Sequence, residues 1–167
     1  MNKIVFLDFD GVITTHKSRW TLDKEKLDLL GEIIKRTGAK IVISSSWRRF
    51  NLERTIEYLS TPNEHYVPFP FPYIDEVIDI TPRISFAHND DKYAYSSVPR
   101  GVEIQIWLDT KRWREKDPVD NYVILDDDSD MLLYQKDHFI KTDHLTGLSK
   151  EDVERAVEIL NKEEMED

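Results

Sequence analysis

The chain has 167 residues, of which 40% are hydrophobic, and its 33 Asp and Glu residues against 23 Lys and Arg residues leave a formal net charge of −10. This length fits one compact domain, and the lack of cysteine excludes disulfide scaffolds, thiol nucleophiles and cysteine-ligated metal sites. The acidic balance argues against a general nucleic-acid coat, which would hold phosphates with clustered Lys and Arg. The N-terminal apolar run is too short for a signal peptide or a membrane span, so we expect a cytoplasmic protein with no membrane partner.

The first third of the chain predicts a strand, a helix and a second strand. Residues 4–7 form a short apolar run, which is typical of a strand buried on both faces. Apolar residues then recur at helical spacing over 23–37, and Gly38 follows as a natural C-terminal stop. Residues 41–43 predict a second buried strand, which is followed by three serines at 44–46.

The rest of the chain continues this alternation. Helices are predicted at 48–59, at 100–108 and from the capping-box pair Ser149 and Asp152 onward. Short apolar runs typical of strands lie at 77–80, 122–125 and 139–140. Strands that alternate with helices predict the α/β class, with a mainly parallel sheet and helices on both faces.

One stretch departs from the pattern. Residues 62–99 hold six of the seven prolines and seven of the 18 aromatic residues. Such a segment is poor in regular structure but too aromatic to be disordered. We predict a single domain over 1–167, in which 62–99 forms an ordered excursion or minimal cap at one edge of the sheet. It either covers the core or forms a wall of the substrate site.

Polar clusters follow three of the predicted strands, at the sheet edge where open parallel sheets bind ligands. Asp8 and Asp10 follow the first strand, the serines follow the second, and Asp126 and Asp127 follow the strand at 122–125. Because carboxylates this close together repel one another, the site needs a cation. Oxygen ligands without Cys or a nearby His fit a hard ion, and Mg²⁺ is the usual one beside a phosphate.

The chemistry that these groups suggest is phosphoryl transfer. Asp8 would attack phosphorus, and Asp10 would protonate the leaving oxygen. Gly11 would let the backbone approach the phosphate closely, and Ser44 with nearby N–H groups would donate to a phosphate oxygen. A basic side chain is also needed to neutralise the transition state.

These motifs resemble those of the haloacid dehalogenase-like (HAD) phosphatase superfamily. Residues 8–12, DFDGV, are similar to its first motif, residues 41–44 to its second and residues 124–127 to its acidic fourth. The chain also resembles a narrower branch, the small HAD domain of Swiss army knife RNA repair proteins. This resemblance lies in the stretches 43–48, 100–108 and 125–131. The resemblance implies a Rossmann-like, HAD-type three-layer sandwich, and the spacing between motifs leaves no room for a large cap domain.

The resemblance also implies a Mg²⁺-dependent phosphomonoesterase that acts through an aspartyl phosphate. Its partner would be a phosphorylated small molecule, a nucleotide or an RNA end. Asp8 would be the nucleophile and a metal ligand, and Asp10 the general acid and base, with its backbone carbonyl on the metal. Ser44 would bind the phosphate, with Gly11 nearby and Ser45 as a competitor for the role of Ser44.

Two assignments stay open at this stage. Asp127 is favoured as the fourth-motif metal ligand. Asp126 would bind the metal through a water molecule or support the Asp127 ligand, and Asp130 is an alternative metal ligand. The third motif is normally a Lys, but here Arg100 lies at the expected place, and guanidinium also binds phosphate well. Competitors for this position are Lys92, Lys111 and Arg112.

Other functional interpretations remain. A phosphate- or metal-binding regulatory module with little turnover fits the Arg at the third motif and the missing cap, but not the presence of both Asp8 and Asp10. A receiver-type signalling domain would carry its phosphate-accepting acid on a later strand than the acid pair, whereas here Asp8 and Asp10 both follow the first strand. The five histidines have no metal-ligand spacing and are predicted at the surface. The four tryptophans are predicted in the core or at its rim, although Trp47 could stack on a nucleotide base.

Overall fold

A computed structural model of the protein describes residues 2–88, 91–114 and 118–162. The strands in these residues are β1 Lys3–Leu7, β2 Lys40–Ile43, β3 Val77–Ile80, β4 Ser85–His88, β5 Asp91–Ser97, β6 Asn121–Asp126 and β7 Phe139–Lys141. The α-helices are α1 Lys24–Thr37, α2 Leu52–Ser60, α3 Arg100–Arg114 and α4 Lys150–Asn161. Short 3₁₀ helices lie at Ile74–Glu76 and Leu133–His138.

Five parallel strands form the central sheet, in the order β3-β2-β1-β6-β7. Val5 of β1 lies opposite Ile41 of β2 on one side and opposite Val123 of β6 on the other. The chain runs outward from β1 through β2 to β3, and then crosses back to add β6 and β7. The order therefore reverses between β1 and β6, which is where ligands bind in such sheets.

Helices cover both faces of the sheet, because successive side chains of a buried strand point to opposite sides. Val5 and Leu7 face a core that α1 and α4 complete, with Leu27, Leu30, Val153 and Leu160. Ile4 and Phe6 face a smaller core that includes Ile104 and Trp107 of α3. The predicted three-layer α/β sandwich is confirmed. Within the described residues, no helix combines the length and apolarity needed to cross a membrane.

Local capping explains where the helices begin and end. The α1 helix begins after Asp23, whose side chain accepts from the Glu25 amide, and ends at Gly38 with φ +69°. Ser149 and Asp152 form the predicted capping box of α4. The predicted helix at 48–59 begins only at residue 52, because the Asn51 side chain caps it by accepting from the Arg54 amide. Residues 44–51 are therefore a loop, which we call the serine loop.

The excursion at 62–99 is more regular than predicted. The predicted strand at 77–80 is confirmed as β3, at the edge of the sheet. Val67 and Phe71 are buried in the larger core, so the first part of the segment covers the core. The strands β4 and β5 pair as an antiparallel hairpin, which the sequence did not predict. In the described part of the chain this hairpin is the main addition to the sandwich, and no large cap domain is present.

Candidate active site

The reversal of strand order brings three carboxylates together. The Asp8 amide donates to the Leu125 carbonyl at 3.0 Å, which extends the β1–β6 pairing one residue beyond the end of β1. One oxygen from each of Asp8, Asp126 and Asp127 lies within 4.8 Å of the others. We call these three residues the acidic cluster. Asp127, the favoured fourth-motif ligand, and Asp126, the predicted supporting or water-mediated ligand, both belong to it.

The electrostatics of the acidic cluster favour a bound cation. Burial raises the pKa of Asp8 to about 6, although the Arg100 charge and hydrogen bonds from the Phe9 backbone and the Ser45 side chain oppose the rise. Burial and the nearby Asp8 charge raise the pKa of Asp126 to about 8. Asp8 and Asp126 are buried acids that resist ionisation, and together with the half-buried Asp127 they form a fitting donor set for a hard divalent ion such as Mg²⁺, which the three carboxylates would hold.

Gly11 leaves room for the Asp127 carboxylate beside the loop that follows β1. Its φ is +72°, and a Cβ atom added there would overlap the Asp127 carboxylate. The Thr142 hydroxyl donates to the Gly11 carbonyl at 2.6 Å and holds the loop in place. A larger residue at position 11 would therefore displace Asp127 from the acidic cluster.

Asp10 lies beside the cluster, but its side chain has different partners. Thr14 Oγ1 donates to Asp10 Oδ1 at 3.0 Å, and Trp47 Nε1 lies 3.2 Å from both carboxylate oxygens. Asp8 and Asp10 are thus separated in environment: one carboxylate joins the acid group, and the other is held by neutral donors. The predicted roles of Asp8 as nucleophile and Asp10 as general acid stay predictions. The predicted role of the Asp10 backbone carbonyl stays a prediction.

The two candidate serines are also distinguished by their contacts. Ser44 follows β2 directly, and its amide donates to the Leu7 carbonyl at 2.9 Å. Its hydroxyl is buried and has no hydrogen-bond partner among the described residues. The Ser45 hydroxyl accepts a hydrogen bond from the Trp47 amide and donates one to the Asp8 carboxylate. A buried hydroxyl without a partner calls for an explanation, and a ligand such as phosphate would supply one at Ser44.

Arg100 opens α3 close to the acidic cluster. One of its guanidinium nitrogens, Nη1, is buried and has no partner in the part of the chain that the structure describes. Asp130 accepts from the Arg100 amide at 2.7 Å, so this acid caps the helix and lies outside the acidic cluster. Lys111 lies instead 3.8 Å from Asp79 of β3. The side chains of the other competitors, Lys92 and Arg112, are outside the described residues.

A family model described as the HAD domain in Swiss Army Knife RNA repair proteins matches residues 4–153. The chain belongs to this family. No curated protein and no solved structure matches it. Membership places the chain in the HAD hydrolase superfamily and suggests phosphohydrolase-type activity in the context of RNA repair. The match spans the acidic cluster, the serine loop and Arg100, whose individual roles remain predictions.

His144 is a residue of this HAD domain site that sequence reasoning missed. The side chain is exposed, as predicted, but its Nδ1 lies 2.5 Å from Asp127 Oδ2. Trp20 packs against the His144 ring at a centroid distance of 4.9 Å. Arg19 and Trp20 both have positive φ, 54° and 61°, a conformation that non-glycine residues rarely adopt. No motif or spacing in the sequence connects position 144 with position 127.

Trp47 and Arg48 link the serine loop of the HAD domain to its surroundings. Trp47 is 7% exposed and packs on Phe9, so the core location is confirmed and its ring is not open for stacking on a base. Arg48 is 5% exposed and forms a buried ion pair with Glu103 of α3 at 2.9 Å. It also donates to the carbonyls of Ser45, Thr81 and Pro82.

Proposed function

We propose that this HAD domain is a Mg²⁺-dependent phosphomonoesterase that removes a terminal phosphate from a nucleotide or an RNA end through an aspartyl-phosphate intermediate. The observation that carries the proposal is the acidic cluster, which sits at the switch point of the sheet with two buried donors that lack partners among the described residues, Ser44 Oγ and Arg100 Nη1. Carboxylates would hold the cation, and the donors would receive the phosphate.

The first chemical step uses Asp8 as the nucleophile and Asp10 as the general acid. A carboxylate oxygen of Asp8 attacks phosphorus, and the bond from phosphorus to the leaving oxygen breaks. Asp10 transfers its proton to that oxygen, and the alcohol departs. Ser44 and Arg100 donate to the phosphate oxygens as charge develops on them. When bound, Mg²⁺ would offset the negative charge shared by the acidic cluster and the phosphate.

The second step regenerates the enzyme. Asp10, now ionised, accepts a proton from a water molecule that attacks phosphorus of the aspartyl phosphate. The bond between phosphorus and the Asp8 oxygen breaks, inorganic phosphate leaves, and both acids return to their starting states. The Trp47 and Thr14 donors would hold the Asp10 carboxyl in one place through both transfers.

Two observations support a nucleotide or RNA end as the substrate. The family description names RNA repair proteins. The described part of the chain has no large cap domain to enclose a small substrate, which leaves the sheet edge accessible to a long one. The predicted nucleotide or RNA-end substrate is therefore preferred to a phosphorylated small molecule.

The decisive experiment replaces the nucleophile. Asp8→Asn should lower Mg²⁺-dependent phosphate release from p-nitrophenyl phosphate and from phosphorylated oligonucleotides by at least about 10³-fold. Asp28→Asn, an exposed acid on α1, serves as the matched control and should keep the wild-type rate. Wild-type turnover in Asp8→Asn would refute the proposal. Mg²⁺ binding by the wild type without release from any substrate would instead favour the regulatory module.

A further inference from the structure

The most exposed large apolar side chain described in this acidic chain lies at the end of the serine loop. Phe50 is 95% exposed, although large apolar side chains are normally covered. It is flanked by Arg49 and stands next to Asn51, the cap of α2. Nothing in the mechanism proposed above uses Phe50, and packing does not explain it.

Phe50 stands between two concave surfaces. A cavity of about 500 Å³ on one side is lined by Arg49, Phe50 and Arg83 among others. A cavity of about 520 Å³ on the other side is lined by Arg49, Phe50, Arg54 and Tyr58 together with Glu57 and Thr61. Phe50 and Arg49 therefore line both cavities, and Arg83 and Arg54 each line one of them.

The basic residues here are only partly neutralised. Among the described residues, neither Arg49 nor Arg83 has an acidic partner within ion-pair distance. The Arg49 guanidinium lies 3.7 Å from the centroid of the Tyr58 ring, and Arg83 Nη2 donates to the carbonyls of Ser46 and Arg48. Arg54 pairs with Glu57 at 2.8 Å, but both side chains are exposed, so this pair is weak and exchangeable.

We propose that Arg49, Phe50, Arg54 and Arg83 form a strand-binding surface, which holds single-stranded nucleic acid next to the terminal phosphate in the active site. The inference rests on the proposed function. A base would stack on Phe50, and the neighbouring guanidinium groups would contact backbone phosphates, which is how proteins bind single strands without reading their sequence. Cationic groups in a chain of net charge −10 complement that polyanion locally.

The short chain segment between Ser44 of the active site and Phe50 of the strand-binding surface limits the distance between the two sites. Phe50 lies six positions after Ser44, and even a fully extended segment of that length spans only about 20 Å. Hydrogen bonds from Arg83 to Ser46 and Arg48 hold the loop in place between them. A strand only a few nucleotides long would therefore reach from the phosphate at Ser44 to a base on Phe50.

The test measures binding without catalysis. Fluorescence anisotropy would follow a labelled hexauridylate without a terminal phosphate, titrated with the full chain in EDTA. We expect Phe50→Ala to weaken binding about tenfold or more, since each base stacked on an aromatic ring contributes on that scale. The double variant Arg49→Gln and Arg83→Gln should reduce the slope of log affinity against log salt by about 0.7 for each phosphate that it no longer neutralises.

The matched control is Leu133→Ala, which removes an apolar side chain that is 84% exposed but lies outside the strand-binding surface. It should bind hexauridylate as the wild type does. Equal affinities for Phe50→Ala and Leu133→Ala, or no binding by the wild type, would overturn the inference. Because the probe has no phosphate to remove, hydrolysis of p-nitrophenyl phosphate without hexauridylate binding defeats only this inference, and binding without hydrolysis defeats only the proposed function.

Discussion

Two groups of charged side chains lie at or near the serine loop, and they differ in how the protein satisfies them. Arg48 and Glu103 are paired at 2.9 Å, and the remaining Arg48 donors reach backbone carbonyls. Glu103 also accepts from the Ile84 amide. The acidic cluster of Asp8, Asp126 and Asp127 is compensated only in part: the Arg100 charge and the Ser45 hydrogen bond oppose the rise in the Asp8 pKa without reversing it, and burial with the Asp8 charge still raises the pKa of Asp126.

This difference separates a structural role from a functional one. Burying a charge is costly unless it is paired and hydrogen-bonded, so a protein that only needs stability pairs it fully, as at Arg48. In the acidic cluster the cost of burying charge is not fully offset by pairing. The nearby Ser44 hydroxyl and Arg100 Nη1 also have no partners among the described residues. Such an arrangement is expected where the missing partners are a cation and a phosphate.

The largest effect should come from breaking the paired group. Arg48→Met would leave Glu103 charged and unpaired in the core and would remove donors from three carbonyls. We expect the free energy of unfolding to fall by about 3–5 kcal/mol. Denaturant unfolding followed by circular dichroism measures this loss.

The control for this variant is Arg54→Met, which breaks an ion pair whose side chains are both exposed. It should cost less than about 1 kcal/mol. If Arg48→Met were as mild as Arg54→Met, the Arg48–Glu103 pair would not be the structural link described above, and the contrast with the acidic cluster would fail.

Neutralising an acid of the acidic cluster should raise the free energy of unfolding, which is the opposite of the effect of Arg48→Met. With folded pKa values of about 6 for Asp8 and about 8 for Asp126, both above the ordinary 3.8, the fold favours the protonated acids. Their contribution to stability is full below about pH 4 and is lost as pH rises toward 8. In EDTA the wild type should therefore lose stability between pH 5 and pH 8. Asp126→Asn should flatten that profile and exceed the wild type at pH 8 by at least about 1 kcal/mol.

Magnesium should reverse the order of stability of the wild type and Asp126→Asn. At a concentration 100 times the dissociation constant, Mg²⁺ should stabilise the wild type by about 2.7 kcal/mol, which corresponds to about 5–10 °C in melting temperature. Asp126→Asn should gain much less, and the surface control Asp28→Asn should behave as the wild type. A wild-type melting temperature that is flat from pH 5 to 8 in EDTA and unmoved by Mg²⁺ would contradict the acidic cluster as a metal site.

The contrast also shows what the sequence could predict. The apolar runs at 4–7 and 122–125 each end in acids, and the carboxyl ends of parallel strands meet at one edge, so local pattern and fold class together predicted the grouping of Asp8 with Asp126. The pairing of Arg48 with Glu103 joins residues 55 positions apart, through a loop and a helix whose packing no local pattern reveals. The contact of His144 with Asp127 depends likewise on tertiary packing.

Asp10 stands between these two extremes, and it provides the smallest test. It belongs to the candidate active site, but the protein supplies its donors, Thr14 Oγ1 at 3.0 Å and Trp47 Nε1 at 3.2 Å. If these donors position a general acid, Trp47→Phe should keep the packing on Phe9 and lower kcat by about fivefold to tenfold, the effect of about one net hydrogen bond. KM should not change.

The leaving group distinguishes positioning from mere packing. An alkyl phosphate needs its leaving oxygen protonated, whereas p-nitrophenolate leaves readily without a proton, so Trp47→Phe should slow the alkyl ester more than p-nitrophenyl phosphate. Trp107→Phe is the matched control, because it also removes a buried indole donor, at 2.8 Å from Asp79, but away from Asp10. Equal losses on both esters, or the same pattern in Trp107→Phe, would show that Trp47 contributes only to packing.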